Sequence, residues 1–279
     1  MQIEESKNEK VTIIVRSLGR ASLDAALVSV ERQTYRPLAV LVVNATAAAH
    51  PPLPREYSVP VRIVDVGRAL TRPQAANVGL DNSDGEYLAL LDDDDTYEPD
   101  HVATLLDTLH REPENLIAYS GTRIIGEDGK ARGALSLPFN RLALLKGNYI
   151  QAGAVLFSAQ LLALGCRFDE DMLMLQDWDF WIQVCRYSAF SFTGKLTNNW
   201  NAFSGGSGAG LGANHNAGAV AAYSAAVAAK WAGLKSQLLQ KYRYAAERAN
   251  GYARNGRRDQ AQHWAHVASD VLSGPPPKA

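Results

Sequence analysis

The stretch Tyr87-Leu88-Ala89-Leu90-Leu91-Asp92-Asp93-Asp94-Asp95 decides how this chain reads. Five apolar residues in a row fit a strand buried on both faces, and four carboxylates stand at its C-terminal end. Consecutive aspartates repel, by about 4 kcal/mol for two carboxylates about 4 Å apart at an effective dielectric near 20. A hard divalent cation, which prefers oxygen ligands, relieves that repulsion most simply. Side chains alternate along a strand, so Asp92 and Asp94 are expected to point the same way. An ion held by them keeps coordination positions for a diphosphate. Taken alone, the run is explained equally well by a solvated acidic loop or by Asp95 or Asp100 capping the next helix. Its place at the end of a buried strand favours the cation.

Upstream, the β-branched run at residues 11–15 (VTIIV) predicts a strand, and Leu23, Ala26, Leu27 and Val30 form one apolar helical stripe. Residues 40–43 and 61–66 predict two more strands, separated by the Pro-rich loop HPPLPREY, and the Ala-rich residues 74–80 a helix packed closely on a sheet. Downstream, Pro99 opens a helix with Val102, Leu105, Leu106 and Leu109 on one face. Strands are expected at 116–125 and 152–157, with a turn at Gly126-Glu127-Asp128-Gly129 and a returning strand between them. A helix is expected at 178–187 with Trp181, Val184 and Cys185 inward. The alternation predicts an α/β fold, a mostly parallel central sheet with helices on both faces. Ligands of such sheets bind beyond the carboxyl ends of the strands, where the acidic run lies.

Residues 203–218 are Gly-rich and aperiodic, which predicts a mobile loop or lid. Thereafter the composition turns helical, with an Ala-rich helix at 219–240 and a helical hairpin at 242–272 broken near Asn255-Gly256. The expected organisation is one α/β domain over residues 1–216 and a C-terminal helical appendage over 217–279, with a disordered tail from 274.

The 279 residues carry 28 Lys and Arg against 29 Asp and Glu, a net charge of -1, which argues against a dedicated nucleic-acid binder. Two cysteines, Cys166 and Cys185, exclude a disulfide framework and read as free thiols of a reducing compartment. The polar N-terminus has no signal-peptide core and no stretch reaches the roughly 18 apolar residues of a spanning helix. A cytoplasmic protein is expected, and peripheral association with the inner face of the membrane is compatible with that. Asp177, in Leu175-Gln176-Asp177-Trp178-Asp179-Phe180-Trp181, is a second candidate site. Three aromatics beside it suggest a partly desolvated pocket, which raises a carboxylate's pKa and suits it to accept a proton. A plain helix cap is the alternative.

Four segments together resemble the family-2 glycosyltransferases of the GT-A fold: VTIIVRSLGR (11–20), SVERQTYRPLAVLVVN (29–44), ANVGLDNSDGEYLALLDDDDTYEPDH (76–101) and FDEDMLMLQDWDFW (168–181). The resemblance spans roughly residues 11–200. It implies a nucleotide-sugar donor, a Mg²⁺ or Mn²⁺ ion, and sugar transfer with inversion to an acceptor hydroxyl of a glycan or glycolipid, in the assembly of cell-surface polysaccharide or glycoconjugate. It places Asp94 and Asp92 on the metal, Asp92 and Asp93 near metal, ribose or donor sugar, and Asp177 as catalytic base. Departures fall around the nucleotide. Arg16-Ser17-Leu18-Gly19 replaces Pro-Thr-Tyr-Asn, so a base-stacking tyrosine is absent while Arg16 offers a cation. Asn44-Ala45-Thr46-Ala47 replaces Asp-Asp-Gly-Ser, leaving Asn44 to meet a base edge. Ala76 stands where an arginine is usual, with Arg72 as its substitute, and Gln176 stands where a carboxylate usually precedes the base. Phe203 takes the place of a histidine, for which His215 is the nearest replacement. These departures also leave open a non-catalytic module that binds nucleotide-sugar or acts as a scaffold through its C-terminal helices.

Overall fold

The computed structural model describes residues 9–203, 210–213 and 215–274. The expected disorder after residue 274 and the central part of the Gly-rich loop lie outside the described residues.

Nine strands form one sheet in the order β3-β2-β1-β4-β8-β6-β9-β5, with β7 paired to β6. The first half is parallel: β1 (Val11–Ser17), β2 (Leu38–Asn44), β3 (Val61–Val64) and β4 (Tyr87–Asp92). Helices α1 (Leu23–Glu31) and α2 (Arg72–Asn82) supply two of its crossovers, the Pro-rich loop joins β2 to β3, and α3 (His101–Arg111) leads on to the second half. The second half is mixed. β8 (Val155–Ser158) runs antiparallel to both β4 and β6 (Ile117–Ile125), while β9 (Phe190–Trp200) runs parallel to β6. The short β5 (Thr96–Tyr97) and β7 (Ala131–Leu135) add antiparallel edges. The parallel character read from the sequence therefore holds for the half built from β1 to β4.

Period-two alternation sorts the strands onto two cores. Ile14, Leu41, Val43 and Leu88 face α2 and α6 (Gln176–Val184), while Ile13, Val15, Val40, Val42, Ala89 and Leu91 face α1 and α3. A capping box between Thr71 and Gln74 starts α2, and Gly79 lets it press on β1. A Cβ at Gly79 would stand 2.2 Å from Ile14 Cγ2, so no larger residue fits this approach.

Two single-turn helices, α4 (Arg141–Leu144) and α5 (Gln160–Ala163), and a 3₁₀ turn at Ala152–Ala154 complete the body. The C-terminal region is helical, as α7 (Ala217–Lys230), α8 (Ala232–Arg254) and α9 (Arg258–Ser273). The break falls at Trp231, earlier than expected, and α8 runs on to Arg254. These helices join the larger core through Val227, Trp231, Leu238 and Leu272. Arg141, almost fully buried, donates to the carbonyls of Cys185 (3.1 Å), Val271 (3.0 Å) and Gly274 (2.8 Å), tying the end of α9 to the end of α6.

Candidate active site

The acidic run lies beyond the carboxyl ends of β1 and β4. β4 stops at Asp92, and the chain turns so that Asp95 N donates to Asp92 O at 3.1 Å. Asp93 and Asp94 thus sit in a turn and do not alternate on a strand. Asp92 and Asp94 still wall one cavity of about 210 Å³, while Asp93 and Asp95 are turned inward, 0% and 1% exposed. Asp93 accepts from Leu18 N (2.8 Å). Asp95 accepts from Asn201 N (2.8 Å) and Gln151 Nε2 (3.1 Å). Asn201 Nδ2 also donates to the Asp94 carbonyl.

Three arginines surround the run. Arg16 Nε lies 3.4 Å from Asp92, and Arg20 lies 2.7 Å from both Asp93 and Asp94. Arg72 lines the cavity beside Asp92, Asp94 and Asp177. Burial works to raise the Asp92 carboxyl, but Arg16, Arg72 and Arg20 outweigh it and hold the pKa below the usual range. At Asp93 burial prevails over Leu18 N and Arg20, and the pKa is raised. Asp95 is pushed well above the usual range by burial, with Asp92 and Asp94 adding to it. Carboxylate oxygens of Asp92, Asp94 and Asp95 lie within 4.8 Å of one another. Hard anionic oxygens at that spacing fit Mg²⁺ or Mn²⁺. Asp92 and Asp94 face the cavity, whereas Asp95 is committed to Asn201 and Gln151.

Asp177 is the second residue of α6, close to the positive end of its dipole. The preceding Leu175 has φ 57°, a left-handed conformation that costs an L-residue about 1–2 kcal/mol. This strained residue sets the direction in which α6 leaves the loop. Two indoles then dock the helix: Trp178 Nε1 donates to Leu144 O (2.6 Å) and Trp181 Nε1 to Ile150 O (3.1 Å). The segment they hold carries Asn148, whose Nδ2 donates to Asp177 Oδ2 at 2.8 Å. Burial lifts the Asp177 pKa, against Trp178 N, Asn148 and Arg72. Asp177, Gln176, Arg72 and Asp92 also line an adjoining cavity of about 40 Å³ that includes Arg16. Two carboxylates 85 residues apart in sequence therefore wall the same space.

Of the residues expected at the site, Arg16, Arg72, Asp92, Asp94 and Asp177 come together. Asp93 lies behind the wall. Asn44 is fully buried and spends its hydrogen bonds locally, donating to Ala48 O (2.7 Å) and Asp65 (2.9 Å) and accepting from Thr46. The exposed group it positions is Asp65. His215 is exposed and bonds Gly210 O (2.7 Å). No sequence pattern marks Arg20, Asn148, Gln151 or Asn201, whose partners are distant in the chain. Nor does any mark the anchor behind α6: buried Asp179 accepts from Lys230 Nζ (2.9 Å) and Trp231 Nε1 (2.7 Å), and Lys230 also reaches Asp169 (2.6 Å).

The family model described as "Glycosyl transferase family 2" matches residues 12–167, more than half of the chain. The chain belongs to that family. The matched span contains the acidic run and stops short of Asp177. Among relatives of this family-2 chain, an uncharacterized glycosyltransferase of Rickettsia conorii is 27% identical over 201 residues, covering 65% of this chain and 32% of its own. The uncharacterized glycosyltransferase YwdF of Bacillus subtilis is 23% identical over 188 residues, covering 63% and 68%. This chain spans about a third of the length of the R. conorii relative. Among solved structures, residues 1–349 of S. aureus TarS superpose with a TM-score of 0.54 at 13% identity, over 69% of this chain and 60% of that one. The same protein in complex with UDP-GlcNAc gives a TM-score of 0.53 at 12% identity, over 69% and 58%. At these identities the likeness shows a shared fold.

Proposed function

We propose that this protein is a metal-dependent, inverting glycosyltransferase that moves a sugar from a nucleotide-sugar to an acceptor hydroxyl. The observation that carries this reading is the shared cavity, with Asp92 and Asp94 on one side and Asp177 on the other. Family membership supports the reaction class.

Asp92 and Asp94 would hold Mg²⁺ or Mn²⁺, which when bound supplies Lewis-acid stabilisation of the departing diphosphate. The chain's own groups do the rest. Arg16 and Arg72 bring positive charge to the cavity that receives the donor. Asp177, with its pKa lifted by burial, accepts the proton of the acceptor hydroxyl. As that proton transfers, the hydroxyl oxygen bonds to the anomeric carbon, and the bond to the diphosphate oxygen breaks with its electron pair leaving on the nucleoside diphosphate. One carboxylate acting as base in a single displacement inverts the anomeric centre. Asn148 fixes the orientation of the Asp177 carboxylate through its hydrogen bond to Oδ2.

S. aureus TarS binds UDP-GlcNAc, so UDP-sugars are the first donors to try. The natural acceptor is proposed to be a glycan or glycolipid of the cell surface. No helix among the described residues is long and apolar enough to cross a membrane. The test is a panel of nucleotide-sugars with Mn²⁺, reading nucleoside diphosphate release and donor binding. Absence of both across the panel, with Asp94→Ala behaving as wild type, refutes the proposal.

A further inference from the structure

We propose that Arg20 is a displaceable internal counter-ion that competes with the divalent cation for Asp94. This rests on the reading of Asp92 and Asp94 as the cation's ligands.

Arg20 sits in the turn between β1 and α1 and crosses 74 positions of sequence to reach the acidic run. Its Nη1 donates to Asp94 Oδ2 at 2.7 Å. Its Nη2 comes within 2.7 Å of Asp93 Oδ1, yet that oxygen has no hydrogen-bond partner, so the approach lacks hydrogen-bond geometry. Arg20 Nε is buried and also without a partner. The guanidinium is thus held by one good hydrogen bond and by charge, not by the two-pronged fork that makes arginine–carboxylate pairs strong. The oxygen it holds belongs to a carboxylate that faces the cavity. A cation bound to Asp94 would stand beside the Arg20 guanidinium, and the two positive charges repel. Each therefore weakens the hold of the other on the shared carboxylate. The device offsets part of the negative charge of Asp93 and Asp94 when no cation is present and makes cation affinity lower than the bare carboxylates would give.

The experiment is calorimetric titration of Mn²⁺ alone into the full chain, without nucleotide. Arg20→Gln is expected to bind Mn²⁺ at least tenfold more tightly than wild type. Because Arg20→Gln leaves buried Asp93 without its cation, the double variant R20Q/D93N is measured beside it; an amide at 93 still accepts from Leu18 N. It is expected still to bind Mn²⁺ more tightly than wild type, by less than Arg20→Gln, because the amide also removes a negative charge beside the site. Arg248→Gln, on α8, is the control and should leave Mn²⁺ affinity unchanged. Equal or weaker binding by R20Q/D93N, with wild type binding Mn²⁺, overturns the counter-ion proposal and leaves the cation site standing. Failure of wild type and both Arg20 variants to bind Mn²⁺ overturns the cation site and the proposal with it.

Discussion

Lys230→Met tests whether the C-terminal helices are structurally part of the active site. Asp179 is 0% exposed, two residues beyond Asp177 on α6, and its carboxylate has two donors, Lys230 Nζ at 2.9 Å and Trp231 Nε1 at 2.7 Å. Removing one partner of a buried pair costs about 3–5 kcal/mol when the remaining charge is left bare. Here Trp231 remains, and the Lys230 side chain is 32% exposed, so the expected cost falls to about 2–3 kcal/mol. For a chain of this size that lowers Tm by about 5–10 °C. Burial acts to lower the Lys230 pKa, but its bonds to Asp169 and Asp179 prevail and raise it above 10.5. A raised lysine pKa means that the stabilisation is complete below about pH 10.4 and fades as pH climbs past the folded value. The deficit of the variant is therefore constant from pH 6 to 9. Urea unfolding of wild type, Lys230→Met, Asp179→Asn and the double variant gives the coupling directly. A variant within about 0.5 kcal/mol of wild type, the usual range for a surface substitution, would refute the argument.

Asp177→Asn is expected to lower turnover by 10²–10⁴-fold while donor binding persists, measured by steady-state kinetics and calorimetry. Burial raises the Asp177 pKa, so its charged form is disfavoured in the fold and stability is lost as pH rises from the ordinary aspartate value of about 3.9 through the raised one; Tm of the Asn variant should gain on wild type as pH climbs above about 4 and then level off. Gly79→Ala would gain about 1 kcal/mol of helix propensity, but its Cβ meets Ile14 Cγ2 at 2.2 Å, and overpacking of about 1–3 kcal/mol should win in denaturant unfolding. Chelation by EDTA should abolish diphosphate release, with Mn²⁺ or Mg²⁺ restoring it in a coupled assay.

The elements legible in the sequence are those whose signal is local. The run at residues 11–15, the stripe through Leu23 and Val30, and the apolar run ending in four aspartates each dictate their own structure. β9 was not legible. Its sequence FSFTGKLTNNW holds Gly194 with φ 70° and carries Asn198 and Asn199 just before its last residue, and a strand pattern does not anticipate them. Those asparagines find partners only in the folded sheet: Asn198 donates to Thr122 and Gln151, and Asn199 to Glu98. The mixed half of the sheet was missed for a related reason, because β8 inserts antiparallel between two strands and no local feature announces it. In the site, Asp92, Asp94 and Asp177 stood out by residue type. Arg20 and Lys230 did not, since a single cation acquires meaning only from the carboxylate it meets 50 or more positions away.

The grip of Arg141 on Val271 and Gly274 bears on the order in which the protein is completed. During synthesis residues 9–200 can gather their sheet, yet the buried guanidinium has only the Cys185 carbonyl to hold until α9 has left the ribosome and adds those of Val271 and Gly274. The helix that presents Asp177 is thus braced last, by chain made after most of the residues that line its cavity. A fragment cut at residue 216 would leave Asp179 without Lys230 and Trp231 and Arg141 with Cys185 alone, so its inactivity would report a half-built helix mount and say nothing about substrate contacts made by the missing residues.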